Sequence, residues 1–274
     1  NVGSRLIVGL INHREQAAGG ACHRLLRIYQ MTDHVDRLGH AFVVLEKDEM
    51  RVQEIDLQDF KTDTPALAAD ARQPNILKLA GLQHAKCRAV LAVTNDEEAN
   101  LAVAIAVRLL NPGIPVIARA RTPSVAANMA SFGTDHIINP FARFAEYLGL
   151  AVASPERFRL IEMLTGLPET PLPEPHRPPA GRWILCGYGR FGHLLATHLQ
   201  PAGIDLTIID PGCADCASPP TIRGNGTEAV TLLQAGIDSA SGIIAGSDND
   251  VNNLSIAMTA SELKPSLFVV TRQN

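Results

Sequence analysis

The 274-residue chain sets 24 Lys and Arg against 28 Asp and Glu, a formal net charge of −4, and is 46% hydrophobic, 19% charged and 4% aromatic. That balance suits soluble globular domains and excludes an extensively disordered chain, while the missing basic excess leaves no footprint for nucleic acid or for nonspecific membrane adsorption. The length carries about two domains at roughly 100–150 residues each, and abundant Ala, Val, Ile and Leu with few aromatics favours helices layered on parallel sheets over a β-sandwich.

Taken in chain order, Leu6–Ile11 and Phe42–Leu45 read as strands, separated by a helical stretch that includes Cys22–Tyr29. From about residue 64, short apolar runs alternate with amphipathic segments. A strand is expected at Ala66–Ala69, a short helix at Asn75–Ala80 and a buried strand at Ala89–Val93. A long helix at Glu97–Leu110, a strand at Val116–Ala120, a helix near Ser124–Ser131 and a strand at His136–Ile138 follow. Residues 166–180 contain six prolines and read as a semi-rigid linker. Beyond it the alternation restarts. Strands are expected at Trp183–Cys186, Leu206–Ile209, near Thr221–Arg223, at Ile243–Ala245 and at Leu267–Thr271, with helices at Phe191–Leu199, Glu228–Ala235 and Asn252–Leu263. Such alternation implies parallel pairing through right-handed crossovers.

The two halves repeat each other. Asp70, Leu77, Ala80, Gly81 and Ala85 recur 155 positions later as Asn225, Leu232, Ala235, Gly236 and Ala240. Thr94, Asn100, Leu101, Pro112, Val116 and Arg119 recur 153 positions later as Ser247, Asn253, Leu254, Pro265, Val269 and Arg272. A tandem duplication of one α/β unit is expected. The division is 1–150 as a degenerate first domain, 151–180 as a helix and proline-rich connector, and 181–274 as a second domain. Together they form two tandem Rossmann-like, doubly wound parallel sheets.

The segment Gly187-Tyr188-Gly189-Arg190-Phe191-Gly192 follows a strand directly and opens a helix. G-x-G-x-x-G alone is a weak signal; in this context the glycines permit a tight turn and close backbone approach to a pyrophosphate at a helix N-terminus. Asp210 closes the next strand, 18 residues after Gly192, where a carboxylate accepts hydrogen bonds from ribose hydroxyls and repels a 2′-phosphate. NAD-type or adenine nucleotides are therefore favoured over NADP. The plainer role of Asp210 is a turn cap before Pro211. For Arg190 two readings stand, a charge-assisted phosphate contact or an exposed helix arginine. The first half departs from the pattern: aligned on Gly9, its second and third glycine positions are Ile11 and Arg14, which obstruct backbone approach. Glu46 and Asp70 stand at its ribose and adenine positions, where a structural role is preferred.

The run Asp70-Ala-Arg, Leu79-Ala-Gly81 and Ala89-Val-Leu-Ala-Val-Thr94-Asn-Asp96-Glu-Glu-Ala-Asn100-Leu, with Asn111-Pro112 and Ile117-Ala-Arg119-Ala, resembles the N-terminal subdomain of potassium-conductance regulator domains, the RCK or KTN family of TrkA-N type. The second half is similar and keeps its glycine loop. The resemblance implies a Rossmann-like fold that pairs into dimers or rings, binds NAD(H), ATP or ADP, and reports occupancy to a potassium channel or transporter membrane subunit. Carried over, the ligand residues are Gly187, Gly189, Arg190, Gly192 and Asp210, with Tyr188 and Phe191 completing the loop. Asn225 stands at the adenine-side position and Ser247 after the fourth strand. Family members usually have Asp where Asn225 stands.

Weaker signals are read conservatively. Cys213 and Cys216 have C-x-x-C spacing without a second pair, and the nine histidines show no metal-ligand spacing. Asp96, Glu97 and Glu98 complement a helix dipole rather than bind a cation. Five scattered cysteines point to a reducing compartment, hence the cytoplasm, at the inner face of a membrane if the resemblance holds. No apolar run approaches the roughly 20 residues that span a bilayer. The chain starts at Asn1 without methionine and stops just after a strand-like run, so a fragment of a longer protein is expected. The alternative function class is an NAD-dependent oxidoreductase, which needs a substrate domain with an acid, base or metal beside the nicotinamide. The second partner here is another Rossmann-like repeat, so no catalytic residue is assigned.

Overall fold

The computed structural model describes residues 5–10, 35–62, 64–166, 177–212 and 219–273, the first of these segments by its backbone alone. The helical stretch expected at Cys22–Tyr29, the loop positions Ile11 to Arg14, the Cys213/Cys216 pair and most of the proline-rich linker lie outside the described residues. The chain divides into two compact units, Asn1–Pro140 and Phe141–Asn274.

The first unit runs β1 (Arg5–Leu10), β2 (Ala41–Glu46), α1 (Glu49–Asp56), β3 (Ala66–Ala68), α2 (Pro74–Leu79), β4 (Cys87–Ala92), α3 (Glu97–Leu110), β5 (Val116–Arg119), α4 (Pro123–Ser131) and β6 (His136–Ile138). Its six strands lie in the order β3-β2-β1-β4-β5-β6, all parallel. Next come α5 (Pro140–Ala153) and α6 (Pro155–Thr165). The second unit continues with β7 (Arg182–Cys186), α7 (Arg190–Leu199), β8 (Asp205–Ile209), β9 (Thr221–Ile222), α8 (Ala229–Gln234), β10 (Gly242–Ala245), α9 (Asp250–Leu263) and β11 (Phe268–Thr271). Its order, β11-β10-β7-β8-β9, is again fully parallel. Both are Rossmann-like sheets wound outward from a central strand, so each has a switch point, between β1 and β4 and between β7 and β10, where a crevice opens beyond the carboxyl ends of the strands.

Strand chemistry explains why both faces are covered. Along β7, Trp183 and Leu185 join one apolar cluster with Leu195, Leu206 and Ile208, while Ile184 and Cys186 join another with Leu232, Ile243 and Ile256. In the first unit Val43 and Leu45 of β2 face one cluster and Phe42 and Val44 the other. Near-continuous apolar strands of this type belong to parallel sheets buried on both sides, and each fully buried Ile, Leu or Phe contributes roughly 1.5–3 kcal/mol.

The duplication is visible in the hydrogen bonds. Asn100, in the first turn of α3, accepts from the Thr94 amide (2.9 Å) and hydroxyl (2.7 Å) and donates to the carbonyls of Thr94 (3.1 Å) and Arg119 (2.9 Å). Asn253, in the first turn of α9, accepts from the Ser247 amide (2.9 Å) and hydroxyl (2.7 Å) and donates to the carbonyls of Ser247 (2.8 Å) and Arg272 (3.0 Å). Each buried amide thereby fastens the end of the fourth strand to the end of the fifth. The caps match as well: Asp96 accepts from Glu98 and Ala99 at the start of α3, and Asn249 from Asn252 at the start of α9. Gly81 and Gly236 both take positive φ, 96° and 77°.

Candidate nucleotide site

β7 delivers the chain into Gly187 at φ 96°, where a Cβ would also approach the Ser247 nitrogen to 3.1 Å and the Gly246 carbonyl carbon to 3.2 Å. A Cβ on Gly192 would collide with the Gly187 carbonyl oxygen. The protein's own packing thus requires the first and third glycines. Gly189 differs: a Cβ there would meet no protein atom within 4 Å. The open space beside it is what close approach of a ligand needs.

Gly189 is the N-cap of α7 and supplies no side-chain acceptor, whereas Asp96 and Asn249 cap α3 and α9. His193 makes the first helical bond, donating to the Gly189 carbonyl at 3.0 Å. The amides of Arg190, Phe191 and Gly192 precede it in the turn whose donors lack intrahelical acceptors. With no acid in that turn, the helix start offers free donors and a partial positive charge to an anion.

Asp210 follows β8. One carboxylate oxygen accepts from the Tyr188 amide and the other from the Gly212 amide, both at 2.7 Å. It anchors the glycine loop and keeps further lone pairs for hydroxyl donors. Asn225, exposed, accepts from the Thr227 amide at 3.2 Å. The Ser247 hydroxyl and amide are both directed to Asn253, so Ser247 shapes the wall and has no donor left for a ligand. Gly187, Gly189, Arg190, Phe191, Asp210, Asn225 and Ser247 line one cleft of about 250 Å³ beyond the strand ends. Tyr188 and Gly192 do not line it: Tyr188 stacks on His193, centroids 3.9 Å apart, and Gly192 lies against Gly187. The cleft also contains Gly226, Asp248, Asn252 and Arg272, which sequence reasoning did not assign. For Arg272 the pairing with Arg119 in the repeat was the available signal. A larger depression of about 490 Å³ runs along α6 past Phe158, Leu160 and Met163, but no strand end and no glycine loop lines it.

The first unit differs from the second at the described strand ends. The Val44 amide donates to the Pro65 carbonyl as that of Ile208 does to Pro220, so Glu46 and Asp210 occupy equivalent positions. Val8 pairs with Val44 and Leu91, while Leu185 pairs with Ile208 and Ile244. This register corrects the alignment on Gly9: Leu10, not Gly9, stands where Gly187 stands, and leucine does not tolerate positive φ there. The Glu46 side chain turns back on its own chain, accepting from the amides of Lys47 (2.7 Å) and Asp48 (3.0 Å), and burial raises its pKa. Asp70 is held by Arg72 through contacts of 2.6–3.0 Å, which lower its pKa. At the position of Arg72 the second unit has Thr227. Both Glu46 and Asp70 therefore make structural contacts.

The acidic cluster at α3 is likewise structural. Asp96 caps the helix, and Glu97 accepts from the amides of Arg121 and Thr122 and from the Thr122 hydroxyl. Among the described residues no group of three or more His, Cys, Asp or Glu is placed to hold a metal ion. Cys186 is buried under the glycine loop and its thiol pKa is pushed up to about 12 by that burial, so it is an inert core residue. No helix among the described residues is long and apolar enough to cross a membrane.

Comparison with known proteins agrees with this geometry. The TrkA-N domain matches residues 29–140 and 183–274, one match in each unit. Potassium channel protein 1 of Methanocaldococcus jannaschii is 29% identical over 97 residues, 33% of this chain and 29% of that protein. Probable potassium channel protein 2 of the same organism is 29% identical over 98 residues, again 33% of this chain and 29% of that protein. The structure of GsuK bound to ADP superposes with a TM-score of 0.59 at 23% identity, over 100% of this chain and 61% of that one. The GsuK channel bound to NAD gives 0.61 at 19% identity, over 100% and 58%. The chain thus spans less than two thirds of these relatives, and identities at this level speak for the fold. With the family's model matched in each of two units that repeat one architecture, the chain belongs to the TrkA-N domain family.

Proposed function

We propose that this chain is the cytoplasmic, nucleotide-sensing regulatory module of a potassium channel or Trk-type potassium transporter, and that its second unit binds NAD(H), ADP or ATP. The observation that carries the reading is the start of α7, whose donors and open approach at Gly189 face the same cleft as Asp210. In this reading the adenosine ribose meets Asp210, the base side reaches Asn225, and the phosphates rest on the loop and Arg190. The first unit, Asn1–Pro140, forms a scaffold with a degenerate site, and the second, Phe141–Asn274, is the sensor. The partner is a membrane subunit, in the same or a separate chain, and the module works as a homo-oligomer at the inner face of the membrane. The names of the potassium channel relatives support the partner, and the ADP- and NAD-bound GsuK structures support the ligand class. The role is regulatory rather than enzymatic, because the described cleft residues supply anchoring groups and not an acid–base pair.

Calorimetric titration with NAD, NADH, ADP and ATP tests this. At least one is expected to bind, and Asp210→Ala to weaken it by roughly ten- to a hundredfold, the worth of charged hydrogen bonds to hydroxyls. No binding by any of the four refutes the ligand reading. Turnover of a carbonyl substrate with NADH refutes the regulatory one.

A further inference from the structure

We infer that Arg272 is a specificity residue of the second unit's cleft, a concealed contact for the terminal phosphate of a nucleoside triphosphate, with Asp248 competing for it as a built-in anion. This rests on the second unit binding a nucleotide, as proposed above. Arg272 follows β11, on the opposite side of the β7–β10 switch from Asp210 and Asn225. A nucleotide whose adenosine lies at Asp210 and whose phosphates cross the start of α7 extends its remaining groups toward β10 and β11. Arg272 and Asp248 line that end.

The guanidinium is held firmly. The Arg272 amide donates to the Ala245 carbonyl at 2.9 Å, and its own carbonyl accepts from Asn253. Its Cζ lies 4.6 Å from the Phe141 ring centroid and 5.2 Å from that of Phe191. The side chain is only 11% exposed, and its buried Nε has no hydrogen-bond partner. A cation packed against two adjacent rings at the edge of the cleft is prepared to bind an anion. What it holds is Asp248, at 2.6 Å, and the Asp248 side chain is 84% exposed. An exposed carboxylate is readily released to water, and a terminal phosphate brings more charge and more acceptor oxygens to the same guanidinium.

In the first unit an amide stands where the second has this carboxylate. Arg119 and Asn95 stand 153 positions before Arg272 and Asp248, and there the guanidinium donates to the neutral Asn95 oxygen at 2.8 Å. The negative charge occurs in the unit whose glycine loop is intact, where its effect is to oppose an incoming anion.

The test is calorimetric titration of the whole chain, as wild type, Asp248→Asn and Arg272→Met, with ATP, AMP and NAD, and with thermal melting as the folding control. Asp248→Asn copies the first unit's arrangement and is expected to tighten ATP by about three- to tenfold, while AMP and NAD change by less than about twofold. Arg272→Met, which keeps an apolar stem against the two rings, is expected to weaken ATP by roughly ten- to a hundredfold with AMP nearly unchanged. An ATP-to-AMP ratio that stays constant across the variants overturns this inference and leaves the nucleotide site standing. If Arg272→Met does not fold, the ratio in Asp248→Asn decides alone. Failure of the wild type to bind any nucleotide overturns the site and this inference together.

Discussion

Replacing Asn253 with alanine tests whether one buried amide organises the wall of the cleft. The amide uses all four of its hydrogen-bonding positions: two bonds accepted from Ser247 and two donated, to the carbonyls of Ser247 and Arg272. Alanine removes them and leaves the Ser247 amide and both carbonyls without partners; the Ser247 hydroxyl can rotate elsewhere. Each orphaned buried backbone group costs about 1–3 kcal/mol. Ser247 and Arg272 are half-buried, so water reaches them in part and the low end applies, giving about 3 kcal/mol for three groups. For a unit of this size that lowers the melting temperature by about 10 °C. Thermal and urea unfolding of wild type, Asn253→Ala and Asn100→Ala provide the assay. The two variants should lose similar stability, each from its own unit, because the bonds are duplicated. A loss under about 1 kcal/mol, or a loss in only one of the two, would refute the idea that the shared bracket holds the fourth and fifth strand ends together.

Gly189→Ala meets no protein atom, so stability should stay within about 0.5 kcal/mol of wild type while nucleotide affinity in calorimetry falls; unchanged affinity would remove Gly189 from the site. Glu97 and Glu46 should respond to pH with opposite signs. Burial would raise the Glu97 pKa, but the donors at Arg121 and Thr122 outweigh it and hold it low. Its stabilisation is therefore complete above the ordinary value and is lost as the pH falls through the lowered one. Glu97→Gln should destabilise at neutral pH and flatten the acid limb of a urea-midpoint profile. Burial raises the Glu46 pKa, so its contribution is complete below the ordinary value and lost as the pH rises through the raised one. Glu46→Gln should then stabilise the first unit at neutral pH and change little in acid, and a loss at neutral pH would contradict the assigned burial.

The helix best read from sequence is α3, whose observed bounds are those expected. It combines a capping Asp96, two acids in the first turn, the buried run through Val103 and Val107, and an Asn-Pro stop. α1 left no comparable trace because only Val52 and Ile55 are buried, Met50 is exposed, and the rest of the segment is charged or polar. α5 starts at Pro140, and its apolar residues pack within the second unit, where Phe141 and Phe144 meet Phe191. No local period announces a partner that distant. The first loop was misaligned by one residue for a related reason. Gly9 is the obvious anchor in sequence, yet register is fixed by pairing across β2 and β4, and a one-residue shift exchanges the two faces. Arg272 was legible as a repeat position. Its chemistry was not, because Phe141, Phe191 and Asp248 meet only in the folded unit.

The duplication separates what the scaffold requires from what a ligand would require. Asn100 and Asn253, Gly81 and Gly236, and the caps Asp96 and Asn249 are shared, and each closes the protein's own backbone. The differences gather at the carboxyl ends of the strands: Leu10 against Gly187, Asp70 with Arg72 against Asn225 with Thr227, and Asn95 against Asp248. A half-buried arginine stands at the end of the fifth strand in both units, so its presence alone does not mark a site. In the first unit Asp70 is held by Arg72, and one Glu46 oxygen accepts from the amides of Lys47 and Asp48 while the other is buried without a partner. In the second, Asp210 ties down the glycine loop and still faces the cleft. Because these differences lie at the strand ends, the strand order that the two sheets share is kept while the units differ in what those ends can hold.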